Sequence, residues 1–224
     1  MSAKICLISP RFPPDPGGVA NASARLAQYL WQQELLACVI VIVSAEASIQ
    51  EKEQYQNQDY PVVLFESDDT LNLEMYWHQY RWNIIHAYYP SLTGLLACEL
   101  ADLSGQKLLF SARGNDIDRD IWKLEQRHVL LKTLQQADAM TGVSIELKNK
   151  LEALFPLQKA YYVPNSVDAE LFKPGPESGQ ILRRCSLPQE ALLMGFVGEV
   201  RLKKGWPLLL RLFSRLGLEF SDLY

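Results

Sequence analysis

Five short segments of this 224-residue chain combine glycine, charge and hydrogen-bonding side chains where an apolar strand gives way to a helix or linker. The first is PDPGGVANAS, 14–23. Gly17 and Gly18 let a ligand approach the backbone at a helix start, where orphan N–H groups and the helix dipole favour anions. A tight turn followed by a helix explains the same residues without any ligand. The second, IIHAYYPS, ends a strand at His86, which either hydrogen-bonds a substrate hydroxyl or is a satisfied core histidine. The third, FSARGNDID (110–118), sets Arg113, an anion clamp, beside Asp116, a carboxylate that serves equally well as a helix N-cap. The fourth, VPNSVDAELFKP (163–174), offers Asn165 and Asp168 as a hinge or as an Asx-type turn. The fifth, FVGEVRLKKGWPLLL (196–210), brings two lysines and Gly205 to a helix start. Lys204 and that helix end suit a diphosphate, or form a solvated basic turn.

Several chemistries are disfavoured. The first segment is not the G-x-G-x-x-G dinucleotide fingerprint, and the fifth lacks the G-x-x-x-x-G-K-S/T spacing of a Walker A loop. A net charge of −4 provides no basic field for nucleic acid. Cys6, Cys38, Cys98 and Cys185 lie far apart with no C-x-x-C pair, which argues against a disulfide framework or a zinc site. The widely spaced thiols fit a reducing cytoplasm. No apolar run reaches the roughly 18 to 20 residues of a membrane span, and the N-terminus does not read as a signal peptide. Peripheral contact with the inner membrane face stays open.

The elements that must position these loops alternate between strand-length apolar runs and helix-period segments. Strands are expected at 4–9, 37–44, 61–66, 83–89, 107–112, 139–144 and 160–164. Helices are expected over 19–33, through Leu73, Trp77 and Tyr80, over 93–103, from Asp118 to Gln136, and over 145–154. The stretch 45–59 reads as polar connection. ACVIVIVS, apolar on both faces, suits a parallel sheet covered by helices on both sides. The whole reads as an α/β, Rossmann-like doubly wound parallel sheet, whose function gathers beyond the strand C-termini. PGPESGQ (174–180) has linker composition. Past it, ALLMGFVG (191–198) reads as a buried strand and GWPLLLRLFSRLG (205–217) as an apolar-faced helix. The expected organisation is a first domain over 1–174, a linker over 175–189, and the opening strand and helix of a second, incomplete Rossmann-like domain over 190–224.

In combination, PPDPGG, IIHAYYPS, SARGNDID, TGVS, PNSVDAELFKP and VGEVRLKKG resemble the retaining glycosyltransferases of family 4, which have the GT-B fold. The resemblance runs from Ile5 to about Leu212. It implies two Rossmann-like domains facing a cleft, the first for the acceptor and the second for a nucleotide-sugar, with no cofactor and no required metal. Gly17 and Gly18 would lie against the donor diphosphate. His86, as the catalytic residue, falls in a strand-end motif often written His-x-His, whose second position here is Tyr88. Arg113 and Asp116 occupy the segment often written His-Gly-x-Asp, with Arg for His. Asn165 opens a segment often written Asn-Gly-Val-Asp, with Ser166 for glycine. Arg201 and Lys204 match the basic pair that neutralises the leaving diphosphate. The acceptor (sugar, glycan or lipid-linked) is not coded by any residue pattern in the chain.

The family's nucleotide-ribose and donor-sugar contacts come from a Glu-x7-Glu motif that would follow Tyr224. The resemblance therefore implies that this chain alone transfers no sugar and binds nucleotide-sugar poorly, the remaining C-terminal half being absent. Two other readings stand beside it: a non-catalytic acceptor-binding or partner subunit, and a GT-B sugar-nucleotide epimerase.

Overall fold

The computed structural model describes residues 2–44, 48–66, 73–175, 179–198, 200–220 and 222–224, without the side chains of Glu51 and Lys203. The chain divides into two compact units, Met1–Ser166 and Val167–Tyr224.

The first unit is built on seven parallel strands: β1 (Ile5–Ser9), β2 (Leu36–Val43), β3 (Val62–Glu66), β4 (Ile84–Tyr88), β5 (Lys107–Ala112), β6 (Ala139–Gly142) and β7 (Lys159–Tyr162). Their order in the sheet is β3-β2-β1-β4-β5-β6-β7, so the winding reverses between β1 and β4. Such a switch point opens a crevice beyond the strand C-termini. Helices α1 (Gly18–Gln32), α2 (Ile49–Gln56), α3 (Leu73–Tyr80), α4 (Pro90–Ser104), α5 (Asn115–Asp118), α6 (Leu124–Gln136) and α7 (Ile145–Leu154) connect the strands.

Strand alternation sorts the side chains into two cores. Cys6, Ile8, Ile85, Ala87, Phe110 and Met140 face one side and pack with residues of α4, α6 and α7. Leu7, Val39 and Val41 face the other and pack with Ala22, Ala27 and Leu30 of α1. The apolar periodicity predicts these strands to within a few residues. Two elements differ from expectation. The stretch 45–59 contains α2, whose IQEKEQYQ has no apolar face to announce it; its residues 45–47 lie outside those described. The single helix expected from Asp118 to Gln136 is instead α5, a 3-10 turn at Asp120–Trp122, and α6. The break follows from Asp120, which is buried, accepts from Ser91 Oγ at 2.7 Å and from Arg119 Nε at 2.8 Å, and so turns the chain inward. Lys123 then takes an extended conformation ahead of α6.

The second unit contains α8 (Gln180–Arg184), inside the stretch read as linker, a 3-10 turn at Leu202–Lys204, and α9 (Trp206–Leu216). The buried strand expected over 191–198 does not form. Leu192 makes one parallel bridge to Leu223, and Val197 is fully exposed. The physical reason is a lack of neighbours among the described residues: a β-strand gains its hydrogen bonds and its burial only from flanking strands and covering helices. Leu182 alone among the described apolar residues of this unit is buried.

Candidate functional site

The face of the sheet that carries α1 is covered by that helix over β1 and β2. Towards β5 and β6 a cavity of about 380 Å³ opens beside it. Its floor follows directly from period-two alternation: His86 and Tyr88 on β4, Leu109 and Ser111 on β5, then Arg113 just beyond, and Thr141 on β6. Ala22, Arg25, Leu26 and Tyr29 of α1 form one wall, and Val163 to Ser166, after β7, form another.

A hydrogen-bonded chain crosses the floor. His86 Nε2 lies 2.7 Å from Ser111 Oγ, which lies 2.6 Å from Thr141 Oγ1. The register of β5 and β6 sets Ser111 opposite Thr141. Burial, and after it the Arg113 guanidinium, push the His86 pKa down to about 4. The imidazole is therefore neutral at pH 7, able to donate from one ring nitrogen and accept at the other. The His86 ring meets Tyr88 edge-on at 5.2 Å.

Arg113 is held from three sides. Its guanidinium stacks 4.6 Å over the Tyr88 ring, and its Nη2 donates to Asn165 Oδ1 at 2.6 Å. Its backbone N–H donates to the Asp116 carboxylate at 2.9 Å. Burial lowers the Arg113 pKa, and Arg25 acts in the same direction, against the opposing pull of Tyr88 and Asp116. Asp116 is fully buried and also accepts from the N–H groups of Gly114 at 2.7 Å and Ile117 at 3.1 Å. Burial raises its pKa to about 6, against those backbone hydrogen bonds, which lower it. Gly114, at φ 120°, makes the turn that aims its N–H at the carboxylate. Asp116 thus folds the loop that presents Arg113 and does not itself line the cavity.

Four of the residues singled out in the sequence, His86, Tyr88, Arg113 and Asn165, meet in this one cavity. Gly17 and Gly18 lie at the exposed N-terminus of α1, outside the lining, with open space where a Cβ would stand. Arg201 and Lys204 belong to the second unit, at the N-cap and last residue of its 3-10 turn. Glu199, beside them, lies outside the described residues. Sequence reasoning missed Ser111, Thr141 and Arg25. The first two are small polar residues near the ends of apolar strands, a signal available from alternation once the strands are paired. Among the described residues no cluster of His, Cys, Asp and Glu could hold a metal ion, and no helix is long and apolar enough to cross a membrane.

The sequence pattern of Glycosyltransferase Family 4 matches residues 16–171, which span every loop of this cavity. The chain belongs to that family. Among solved structures it is similar to Anabaena Alr3699/HepE in complex with UDP and glucose, with a TM-score of 0.67 and 15% identity. That likeness covers 93% of this chain and 57% of HepE. It is also similar to S. aureus MnaA with UDP, with a TM-score of 0.58 and 15% identity over 99% of this chain and 61% of MnaA. A third is Phytolacca americana UGT2 complexed with UDP-2-fluoro-glucose and pterostilbene, with a TM-score of 0.51 and 11% identity over 89% of this chain and 61% of UGT2. No curated protein gives a significant match by sequence. At these identities the likenesses show the fold, a GT-B glycosyltransferase architecture built on the Rossmann-like parallel sheet. The chain spans less than two thirds of each of these three structures.

Proposed function

We propose that this family 4 glycosyltransferase chain carries the acceptor side of a reaction that moves a sugar from a nucleotide-sugar to a hydroxyl acceptor with retained anomeric configuration. The observation that carries the reading is the convergence of His86, Tyr88, Arg113 and Asn165 on one cavity at the C-terminal edge of the sheet. The bond between the anomeric carbon and the donor diphosphate breaks, its electron pair leaving with the diphosphate. The acceptor oxygen bonds the same face of that carbon, and its proton passes to the departing diphosphate. Neutral His86 hydrogen-bonds a sugar hydroxyl during this step. In the family pattern Arg201 and Lys204 stabilise the charge that builds on the diphosphate; such a contact is commonly worth about 2.7 to 4 kcal/mol of barrier. HepE and MnaA hold UDP, so a uridine diphosphate sugar is the first donor to try.

These 224 residues alone are expected to transfer no sugar and to bind nucleotide-sugar poorly, in keeping with the little apolar surface buried among the described residues of the unit bearing Arg201 and Lys204. A cytoplasmic setting, with peripheral contact at the inner membrane face, is part of the proposal; the four free thiols support the reducing compartment.

The test incubates the chain with a panel of nucleotide-sugars and hydroxyl acceptors, and follows nucleotide release and product anomer by proton NMR. No transfer by this chain alone is expected, and any trace product should keep the donor's anomeric configuration and be lost in His86→Ala. An inverted product overturns retention, and rapid turnover overturns the weak-donor expectation. Interconversion of the donor without transfer favours the epimerase reading. Acceptor binding with no detectable binding of any nucleotide-sugar favours the partner-subunit reading.

A further inference from the structure

The cavity carries a charge pattern that the proposed reaction does not require. Arg25 and Arg113 both line it, and no aspartate or glutamate does. The Arg113 guanidinium is already oriented by Tyr88 and Asn165, neither of which neutralises it. Only its backbone N–H reaches the Asp116 carboxylate at hydrogen-bond distance. Arg25 lies exposed on α1 and has no ion pair among the described residues. Two guanidinium groups lining the same cavity are both stabilised by an anion bound in it. Around them the wall is apolar, from Ala22, Leu26, Leu109, Val163 and Pro164, with Tyr29 at its side. A volume of about 380 Å³ suits a ligand the size of one sugar ring with an aromatic or aliphatic substituent.

We infer that the acceptor bound here is itself an anion, a hydroxyl compound bearing a carboxylate or phosphate, with Arg25 and Arg113 as its specificity-determining residues. This rests on reading the first unit as the acceptor side. The same chemistry has a second source, the donor diphosphate, and the experiment separates the two.

Binding of phenyl β-D-glucuronide, its neutral counterpart phenyl β-D-glucoside, and UDP is measured by calorimetry at low salt with the whole chain. The glucuronide is expected to bind about tenfold tighter than the glucoside, the size of one charge-assisted hydrogen bond. Arg25→Gln and Arg113→Gln should each remove most of that preference, and Arg25→Lys should retain part of it. UDP affinity should not change in Arg25→Gln. Because Arg25 is an exposed helix residue, its variants keep the test valid if Arg113→Gln fails to fold. Equal affinity for the two glycosides overturns the inference, as does a preference that survives both substitutions. If UDP displaces the glucuronide and loses affinity in Arg25→Gln, the anion site belongs to the donor and the acceptor assignment falls. Transfer to neutral acceptors without any charge preference would break this inference alone. A glucuronide preference together with interconversion of the donor and no transfer would break only the reading beneath it.

Discussion

The two units of the chain hold similar kinds of apolar sequence and do different things with it. LACVIVIV in the first unit becomes β2, with almost every side chain buried between two layers. ALLMGFVG in the second makes one bridge and leaves Val197 in solvent. The difference is the surroundings. β2 has β1 and β3 on its flanks and helices on its faces, whereas, among the described residues, 191–198 pair only with the short segment at 222–224. An apolar run states a capacity for burial, and neighbours decide whether it is realised.

That contrast is open to a direct test by mutation. Trp82 is among the largest fully buried side chains and packs in the core beneath α3 and α4. Trp82→Ala should lower stability by about 3 to 5 kcal/mol in urea unfolding. Leu208, on α9, is 72% exposed. Leu208→Ala should change stability by less than about 0.5 kcal/mol. Comparable losses from both would mean that the second unit is packed far better than its exposure indicates.

The first unit also buries ionisable groups, and two of them oppose each other. His86 titrates near 4 in the fold, below its ordinary 6.5. Between those values the unfolded chain binds more protons, so stability falls as pH drops from about 6.5 towards 4, by roughly 3 kcal/mol in all. Asp116 titrates near 6, above its ordinary 3.8. Between these the folded chain binds more protons, so stability falls as pH rises from about 4 towards 6, by a similar amount. The wild-type profile should therefore be nearly flat from pH 4 to 6. Thermal melts across that range should show His86→Gln losing stability as pH rises and Asp116→Asn losing it as pH falls. Parallel profiles in the two variants would mean that the shifts have been assigned the wrong sign.

Close backbone approach gives a smaller contrast. A Cβ on Gly94 of α4 would overlap the Thr133 side chain of α6, whereas one on Gly195 meets nothing within 4 Å. Gly94→Ala should cost about 1 to 3 kcal/mol through overpacking. Gly195→Ala should be close to neutral. Equal effects would show that α4 and α6 can separate freely.

Much of the first unit was legible in the sequence, because each of its strands is an apolar run and most of its helices bring a periodic apolar face to the core. α2 was not, since IQEKEQYQ has no such face. The break at Asp120 was hidden because it depends on Ser91, 29 residues away in sequence. In the site, His86 and Arg113 stood out as charged or titratable residues at strand ends. Ser111 and Thr141 did not, because a hydroxyl in a strand acquires meaning only when the register sets it beside a partner. Gly17 and Gly18 show the converse: the glycine pattern marked a helix start, and the lining of the cavity comes from one turn and more further along that helix. Family resemblance joined loops that local pattern left ambiguous, and pairing of strands then supplied the contacts between them.

The finest test concerns how Arg113 is held. Its guanidinium lies 4.6 Å from the Tyr88 ring centroid, and its Nη2 is hydrogen-bonded to Asn165. A cation over a tyrosine face is worth about 0.5 to 1 kcal/mol at exposed sites and about 2 kcal/mol when desolvated. Arg113 is part-buried in the cavity lining, so a coupling near 1 kcal/mol is expected. Tyr88→Leu keeps apolar volume and removes the ring, and Arg113→Met keeps the stem and removes the charge. The double-mutant cycle built from these two, read by urea unfolding at pH 7, isolates their interaction because neither change creates a new polar group. Asn165→Ala combined with Arg113→Met gives the matching cycle for the hydrogen bond. Additive effects in both cycles would leave the guanidinium free to swing, and a site whose cation is not fixed in advance gains little selectivity from it.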